Sequence, residues 1–154
     1  MKPVIGIIGM GVAAELAQRD MQTRLAHLEY LKGKMIRELP RYIDEYIINS
    51  HPQHSLPNMV SISIKYIEGE SVMLMLDDDD IAVSTRSACA TGSLRASHVL
   101  LSIGLSHADA QGTLVLAIGI DNSEDDIDRF LKALKNVVTT LRNISPLYQK
   151  STRG

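Results

Sequence analysis

Apolar residues recur at helical spacing from about Ala13 to Leu39, where Ala17, Met21, Leu25, Leu28, Met35 and Leu39 share one face. The spacing predicts a long helix that Pro40 ends, because proline has no backbone N–H to continue the ladder. Tyr42 to Ile48 reads as a strand, and Asn49 to Pro57, with Pro52, His51 and His54, as a loop. Met59–Ile64 alternates Val60, Ile62 and Ile64 with Ser61 and Ser63, the signature of a half-buried strand. A short helix is expected over Glu70–Leu76, an acidic turn over Asp77 to Asp80 and a short strand over Ile81–Val83. Ser84–Ser93 reads as a loop of small residues.

Further along, Ser97 is placed to start a helix that runs through Ile103 and stops at Gly104, and Ser106 with Asp109 has the spacing of a second cap. Thr113–Ile118 is apolar and partly β-branched, as expected of a central strand. Ser123 opens the last helix, with Glu124, Asp125 and Asp126 near its positive end. Ile127, Phe130, Leu131, Leu134, Val137, Val138, Leu141 and Ile144 form its apolar stripe. Two long helices on a few mostly antiparallel strands make an α+β fold of two layers.

With 154 residues the chain suffices for one domain with its own core. A net charge of −2 provides no field for nucleic acid or an anionic membrane, and the absence of Trp argues against a base-stacking platform. The single cysteine has no intramolecular partner for a disulfide, which fits a reducing compartment. The apolar run Val4–Met10 is too short to span a bilayer and has no small-residue cleavage site after it. A cytoplasmic protein is expected.

Gly9-Met10-Gly11-Val12-Ala13-Ala14, after an apolar run, resembles a dinucleotide-binding fingerprint. Its context is poor: no acid closes the next candidate strand and later elements do not alternate as βαβ units. The preferred reading is a glycine-rich entry, residues 1–12, into a packed helix.

The segment Ser84-Thr85-Arg86-Ser87-Ala88-Cys89-Ala90-Thr91-Gly92-Ser93 carries the chemistry. It sets the lone cysteine among small hydroxyl residues, beside Arg86, between a strand and a helix. A neighbouring cation favours the thiolate, which is the reactive form. On chemistry alone an inert, buried Cys89 competes with a functional one.

This segment resembles the cysteine loop of NifS/IscS-type cysteine desulfurases, S-S-G-S-A-C-[TS]-[ST]-G-S-L. Gly6 through Ala17 is similar to that family's G-I-V-G-x-G-x-A-A-E-L-A, which accounts for the dinucleotide-like pattern. Asn49-Ser50-His51-Pro52, Leu56-Pro57-Asn58, Glu68-Gly69-Glu70-Ser71, Ser97-His98-Val99-Leu100, Gly104-Leu105-Ser106-His107 and Ile144-Ser145-Pro146-Leu147 match further short family motifs in order. The resemblance covers roughly the last two-fifths of such an enzyme. It implies the small C-terminal domain of fold-type I enzymes that use pyridoxal phosphate (PLP), as one domain over 1–154 with a cysteine loop at 84–93 and a tail at 145–154.

By that resemblance, Cys89 is the catalytic residue that takes sulfur from L-cysteine as a persulfide, flanked by Arg86, Ser87, Ala88, Thr91 and Gly92. PLP is implied by family, but the lysine that would bind it covalently is absent, since no lysine stands in the family's S-x-H-K setting. Implied partners are a PLP-binding companion chain or a full-length desulfurase, an iron–sulfur scaffold or other sulfur acceptor, and a second copy of the chain. The tail is implied in scaffold docking. Val115 stands where the family's substrate-carboxylate arginine is expected, Ile120 replaces a second arginine, and Arg86 replaces a loop glycine. A non-catalytic sulfur carrier or interaction module that has lost the substrate site is the alternative. His51 with His54, and the run Asp77 to Asp80, lack the spacing of a metal site. His98 and His107 are expected to cap or pack.

Overall fold

The fold was described in a computed structural model that covers residues 3–85 and 96–151. The long first helix, α1 (Val4–Glu38), passes through a single 3₁₀ turn, Leu39–Arg41, into strand β1 (Tyr46–Ile48). Strand β2 (Met59–Ile64) and helix α2 (Gly69–Asp77) follow, then β3 (Ser84–Thr85). Two short helices, α3 (His98–Ser102) and α4 (His107–Gln111), precede strand β4 (Thr113–Ala117) and the helices α5 (Glu124–Ile144) and α6 (Pro146–Ser151).

The four strands form one antiparallel sheet in the order β1-β2-β4-β3. Alternation along β2 and β4 turns Val60, Ile62, Ile64, Leu114 and Leu116 to one side, where all are buried. That side packs against Leu31, Met35 and Leu39 at the end of α1, Val72 and Leu76 of α2, and Ile127, Phe130, Leu131, Leu134, Val137 and Val138 of α5. The expected two-layer α+β arrangement is therefore present. Helix α5 is fixed at its start by a capping box: Ser123 Oγ accepts from Asp126 N–H, and the Asp126 carboxylate accepts from Ser123 N–H at 2.8 Å. A polar seam ties it to α1, with Lys34 Nζ 2.9 Å from Asp128 and 3.2 Å from Glu124, and Tyr30 Oη donating to Glu124 at 2.8 Å.

Two glycines are required by close backbone approach. A Cβ on Gly112 would lie 2.1 Å from Ile64 O, and one on Gly69 would lie 2.7 Å from Thr113 O. The chain crosses itself there, where α2 and β4 begin beside the end of β2.

Several boundaries differ from those read in the sequence. Helix α1 begins at Val4, so the 1–12 stretch is helical from its fourth residue and contains no strand–turn–helix for a dinucleotide. The forward half of its expected stripe, Ala17 and Met21, is exposed. Strand β1 is only three residues long, because Glu45 takes a left-handed conformation (φ 46°) and ends the turn before it. Ile81 and Val83 pack on the core without pairing: Ile81 N–H is used on Leu76 O to close α2, and pairing begins at Ser84. At the end of α5, Ile144 is exposed and the buried position is taken by Arg142.

Candidate functional site

The sheet's second face is polar, and its centre is a row of three residues set by register. Ser61 of β2 stands opposite Val115 of β4, and Val115 stands opposite Ser84 of β3. The next row joins Ile47, Ser63 and Thr113. Ser63 and Thr113 are fully buried, and their hydroxyls lie 2.6 Å apart. Asn49 Nδ2 donates to Ser63 Oγ at 2.9 Å and approaches Ser61 Oγ at 3.2 Å, while Ser50 Oγ accepts from Ser61 N–H. Hydroxyl groups and the Asn49 amide N–H group thus pair across three segments, while Asn49 Oδ1 is buried without a partner. Neither row carries a cation.

This face leads into the cysteine segment. Ser84 and Thr85 form edge strand β3, held to β4 through Val115 and Leu114. Arg86, Ser87, Ala88, Cys89, Thr91 and Gly92 lie outside the described residues, and the description resumes ahead of α3. The expected loop thus begins with a strand, whose last described residue, Thr85, is buried.

The other singled-out residues are dispersed. Ile120 lies past the end of β4, half-exposed. His51 Nδ1 accepts from the backbone N–H groups of Gln53 and His54, so this histidine closes its own turn. Its ring lies 4.6 Å from that of His54. Among the described residues no group of three or more His, Cys, Asp or Glu side chains is arranged for a metal. Asp77 ends α2, and Asp79 O accepts from Arg129. His98 and His107 are the exposed first residues of α3 and α4. Ser106, not a histidine, caps α4, by accepting from Asp109 N–H. No helix among the described residues is long and apolar enough to cross a membrane.

Residues 2–130 match the profile of the aminotransferase class-V family. The chain belongs to that family. Class-V relatives similar to it include cysteine desulfurase IscS 1 of Archaeoglobus fulgidus, 42% identical over 96% of this chain and 38% of that protein. Cysteine desulfurase NifS of Azotobacter vinelandii is 34% identical over 92% of this chain and 35% of its own length. The chain therefore spans less than two-fifths of the curated relatives it matches. Its fold is that of a solved NifS-like protein, with a TM-score of 0.78 at 28% identity over 92% of this chain and 35% of that one. A NifS-like protein from Rickettsia africae has the same fold, at TM-score 0.79 and 22% identity, covering 90% and 36% of the two chains.

Class-V aminotransferases imply PLP, which needs a lysine free to form an imine and cations for its phosphate. Three of the described lysines, Lys32, Lys34 and Lys65, are engaged elsewhere. Lys32 Nζ donates to Ser55 Oγ and Leu56 O, both at 2.7 Å. Lys34 is held by Asp128 and Glu124, and Lys65 by Glu45; these carboxylates raise both lysine pKa values above the ordinary range. Lys132 lines an open groove of about 550 Å³ together with Asp79, Asp125, Asp128 and Arg129. As paired here, Lys32, Lys34 and Lys65 do not offer a free amine for the imine.

Arg142 escaped sequence reading. It is buried, donates to the Asp44 carboxylate and to Asp44 O and Glu45 O, and lies 5.1 Å from the Tyr148 ring centroid. Its one visible signal was position, four residues after Val138 on the apolar stripe of α5.

Proposed function

We propose that this chain is the sulfur-accepting part of a cysteine desulfurase. Cys89 takes the sulfur of L-cysteine as a persulfide, and PLP is held by the part of such an enzyme that lies outside these 154 residues, whether on the same protein or on a companion chain. Overall, the C–S bond of L-cysteine breaks, an S–S bond to Cys89 forms and the β-carbon takes up a proton. L-alanine leaves, and the persulfide's outer sulfur then passes to an iron–sulfur scaffold or another acceptor. The observation that carries this reading is the sequence Ser87-Ala88-Cys89-Ala90-Thr91-Gly92-Ser93-Leu94 within a chain 42% identical to IscS 1. Further support comes from β3, which delivers this segment from the edge of the polar sheet face.

Within this reading Arg86 favours the Cys89 thiolate, and Ser87, Ala88, Thr91 and Gly92 give the segment its small cross-section. The tail 145–154 serves partner docking, and a second copy of the chain completes the assembly in a cytoplasmic setting. A test is incubation with L-cysteine and a PLP-binding companion, followed by intact mass and peptide mapping. The expected result is one added sulfur atom on Cys89, removable by dithiothreitol and absent in Cys89→Ser. An unmodified Cys89 alongside alanine release would reject the assignment.

Val115 favours a second reading, a sulfur carrier or interaction module without turnover. An aliphatic side chain between two serines offers no pair to an amino-acid carboxylate. Under that reading Cys89 is loaded by a full-length desulfurase, and alanine forms only on that enzyme.

A further inference from the structure

The turn that follows β1 is closed by a side chain and not by backbone. Among the described residues no backbone–backbone hydrogen bond is made within 50–55. Pro52 has no N–H to give. The N–H groups of Gln53 and His54 instead converge on one atom, His51 Nδ1, at 3.1 and 3.0 Å. An imidazole nitrogen that accepts carries no hydrogen, so the closed turn holds His51 neutral, with its hydrogen on Nε2. A proton at Nδ1 removes the acceptor and sets three donors against one another.

No acid is placed to hold that proton in the closed turn. The His54 ring centroid lies 4.6 Å away, and among the described residues neither imidazole pairs with a carboxylate. From α1 the loop meets Lys32, whose ammonium donates to Ser55 Oγ and Leu56 O and is itself attracted by Glu29. Strand β2 and the residue before it, Asn58, bring no charge.

The residues just ahead of the ring are built into the sheet. Continuing the register that pairs Ile48 with Ile62 sets Asn49 opposite Ser61. Asn49 N–H donates to Ser61 O at 2.8 Å, but the return bond goes elsewhere: Ser61 N–H donates to Ser50 Oγ at 2.9 Å. The Ser50 hydroxyl stands in for the carbonyl of a continuing ladder. Its position depends on the chain turning directly after it, which the His51 ring enforces. Ser61 in turn faces Val115, and Val115 faces Ser84 at the head of the cysteine segment.

We infer that His51 is a pH-operated clasp: a proton taken from solvent at Nδ1 opens the 51–54 turn and frees Ser50 from Ser61, loosening the central row of the polar sheet face. The closed turn excludes this proton and the open turn accepts it, so falling pH shifts the balance toward the open form. The inference stands apart from the sulfur-transfer reading and does not need it.

The test follows the isotope-labelled protein by two-dimensional NMR from about pH 8 to about pH 5, the span in which histidines titrate. At the upper end His51 is expected as the Nε2–H tautomer, read from its ring nitrogens. On acidification the Gln53, His54 and Ser61 amides are expected to shift with one shared midpoint. Amide exchange at Gln53 and His54, corrected for its intrinsic pH dependence, rises by up to about tenfold per pH unit, the limit for one proton. In His51→Asn a side-chain oxygen accepts the same N–H groups without titrating, so all three amides stay flat. In His51→Phe no acceptor exists, and all three sit at their acid-form positions already at neutral pH. A hydrogen on Nδ1 at neutral pH overturns the proposal. So does a titration of the three amides that persists in His51→Asn, or a Ser61 amide that stays still while Gln53 and His54 move. His54→Gln is expected to leave the transition in place; its loss there would move the switch to His54 and overturn the assignment to His51.

Discussion

Ser84 and Val115 face each other across the last pair of strands, so the residue that begins the cysteine segment neighbours an aliphatic side chain at the centre of a polar sheet face. The position has hydroxyl groups on either side, Ser61 and Ser84, and no charge. Arginine there can form a two-point pair with a carboxylate. Val115→Arg, in complex with a PLP-holding companion, is expected to lower the L-cysteine concentration for half-saturation by about tenfold to a hundredfold. That corresponds to the roughly 1.5–3 kcal/mol of a charge-assisted hydrogen bond. Val115→Leu leaves it unchanged. Saturation curves check this, and coincident curves for all three proteins would mean that this face does not look onto the substrate.

Glycine positions separate into two stability classes. Gly112→Ala forces a Cβ to within 2.1 Å of Ile64 O, so the β2–β4 crossing must open. A loss of about 2–4 kcal/mol is expected, with strand content falling before helix content in circular dichroism during urea unfolding. Gly33→Ala meets nothing within 4 Å on an exposed part of α1. It is expected to stabilise by about 0.5–1 kcal/mol through helix propensity and the unfolded-state entropy that glycine carries.

Strand β2 was legible to its end residues because Val60, Ile62 and Ile64 alternate with serines. Helix α5 was legible because a cap and an apolar stripe agree. The same alternation hid the second face of the sheet. Ser63 reads as a polar position of a half-buried strand, yet it is fully buried, because Asn49 Nδ2 donates to it and its hydroxyl lies 2.6 Å from that of Thr113, contacts that local pattern does not encode. The early start of α1 was hidden because its glycines read as a turn, and glycine disfavours a helix interior. Cys89 was visible through residue chemistry and resemblance, and it lies outside the described residues.

The capping box ties part of the acid limb of stability to Asp126. Backbone and side-chain hydrogen bonds from Ser123 hold the Asp126 pKa below its ordinary 3.8. A folded-state pKa that is depressed contributes stability above the unfolded value, and that contribution is lost as pH falls through the folded value. The melting-temperature gap between the native chain and Asp126→Ala is therefore expected to be constant near neutrality and to close below about pH 4. Ser123→Ala removes the other half of the box and costs about 1 kcal/mol near neutrality. A gap that persists unchanged into strong acid would assign Asp126 a packing role instead.

Arg142 is where one side chain decides how the first layer meets the second. Its guanidinium satisfies Asp44 O at 2.9 Å and Glu45 O at 3.1 Å, both in the turn that ends at the left-handed Glu45. The Arg142 side chain is only 5% exposed, so its bonds form on the protected side of an otherwise exposed turn. Arg142→Met preserves much of the apolar stem but takes the donor from Asp44 O, while Glu45 O keeps the Lys65 N–H at 2.9 Å, for an expected loss of about 1–3 kcal/mol. Arg142→Lys recovers part of that loss, since an ammonium group reaches one carbonyl without spanning the fork. Asp44→Ala removes the ion pair alone; its carboxyl is 76% exposed and screened, so the expected cost is below about 1 kcal/mol. Denaturant unfolding of the three variants therefore should rank Met worst, Lys intermediate and Asp44→Ala mildest. If Asp44→Ala matched Arg142→Met, the charge pair would be the stabilising contact and the carbonyl bonds incidental.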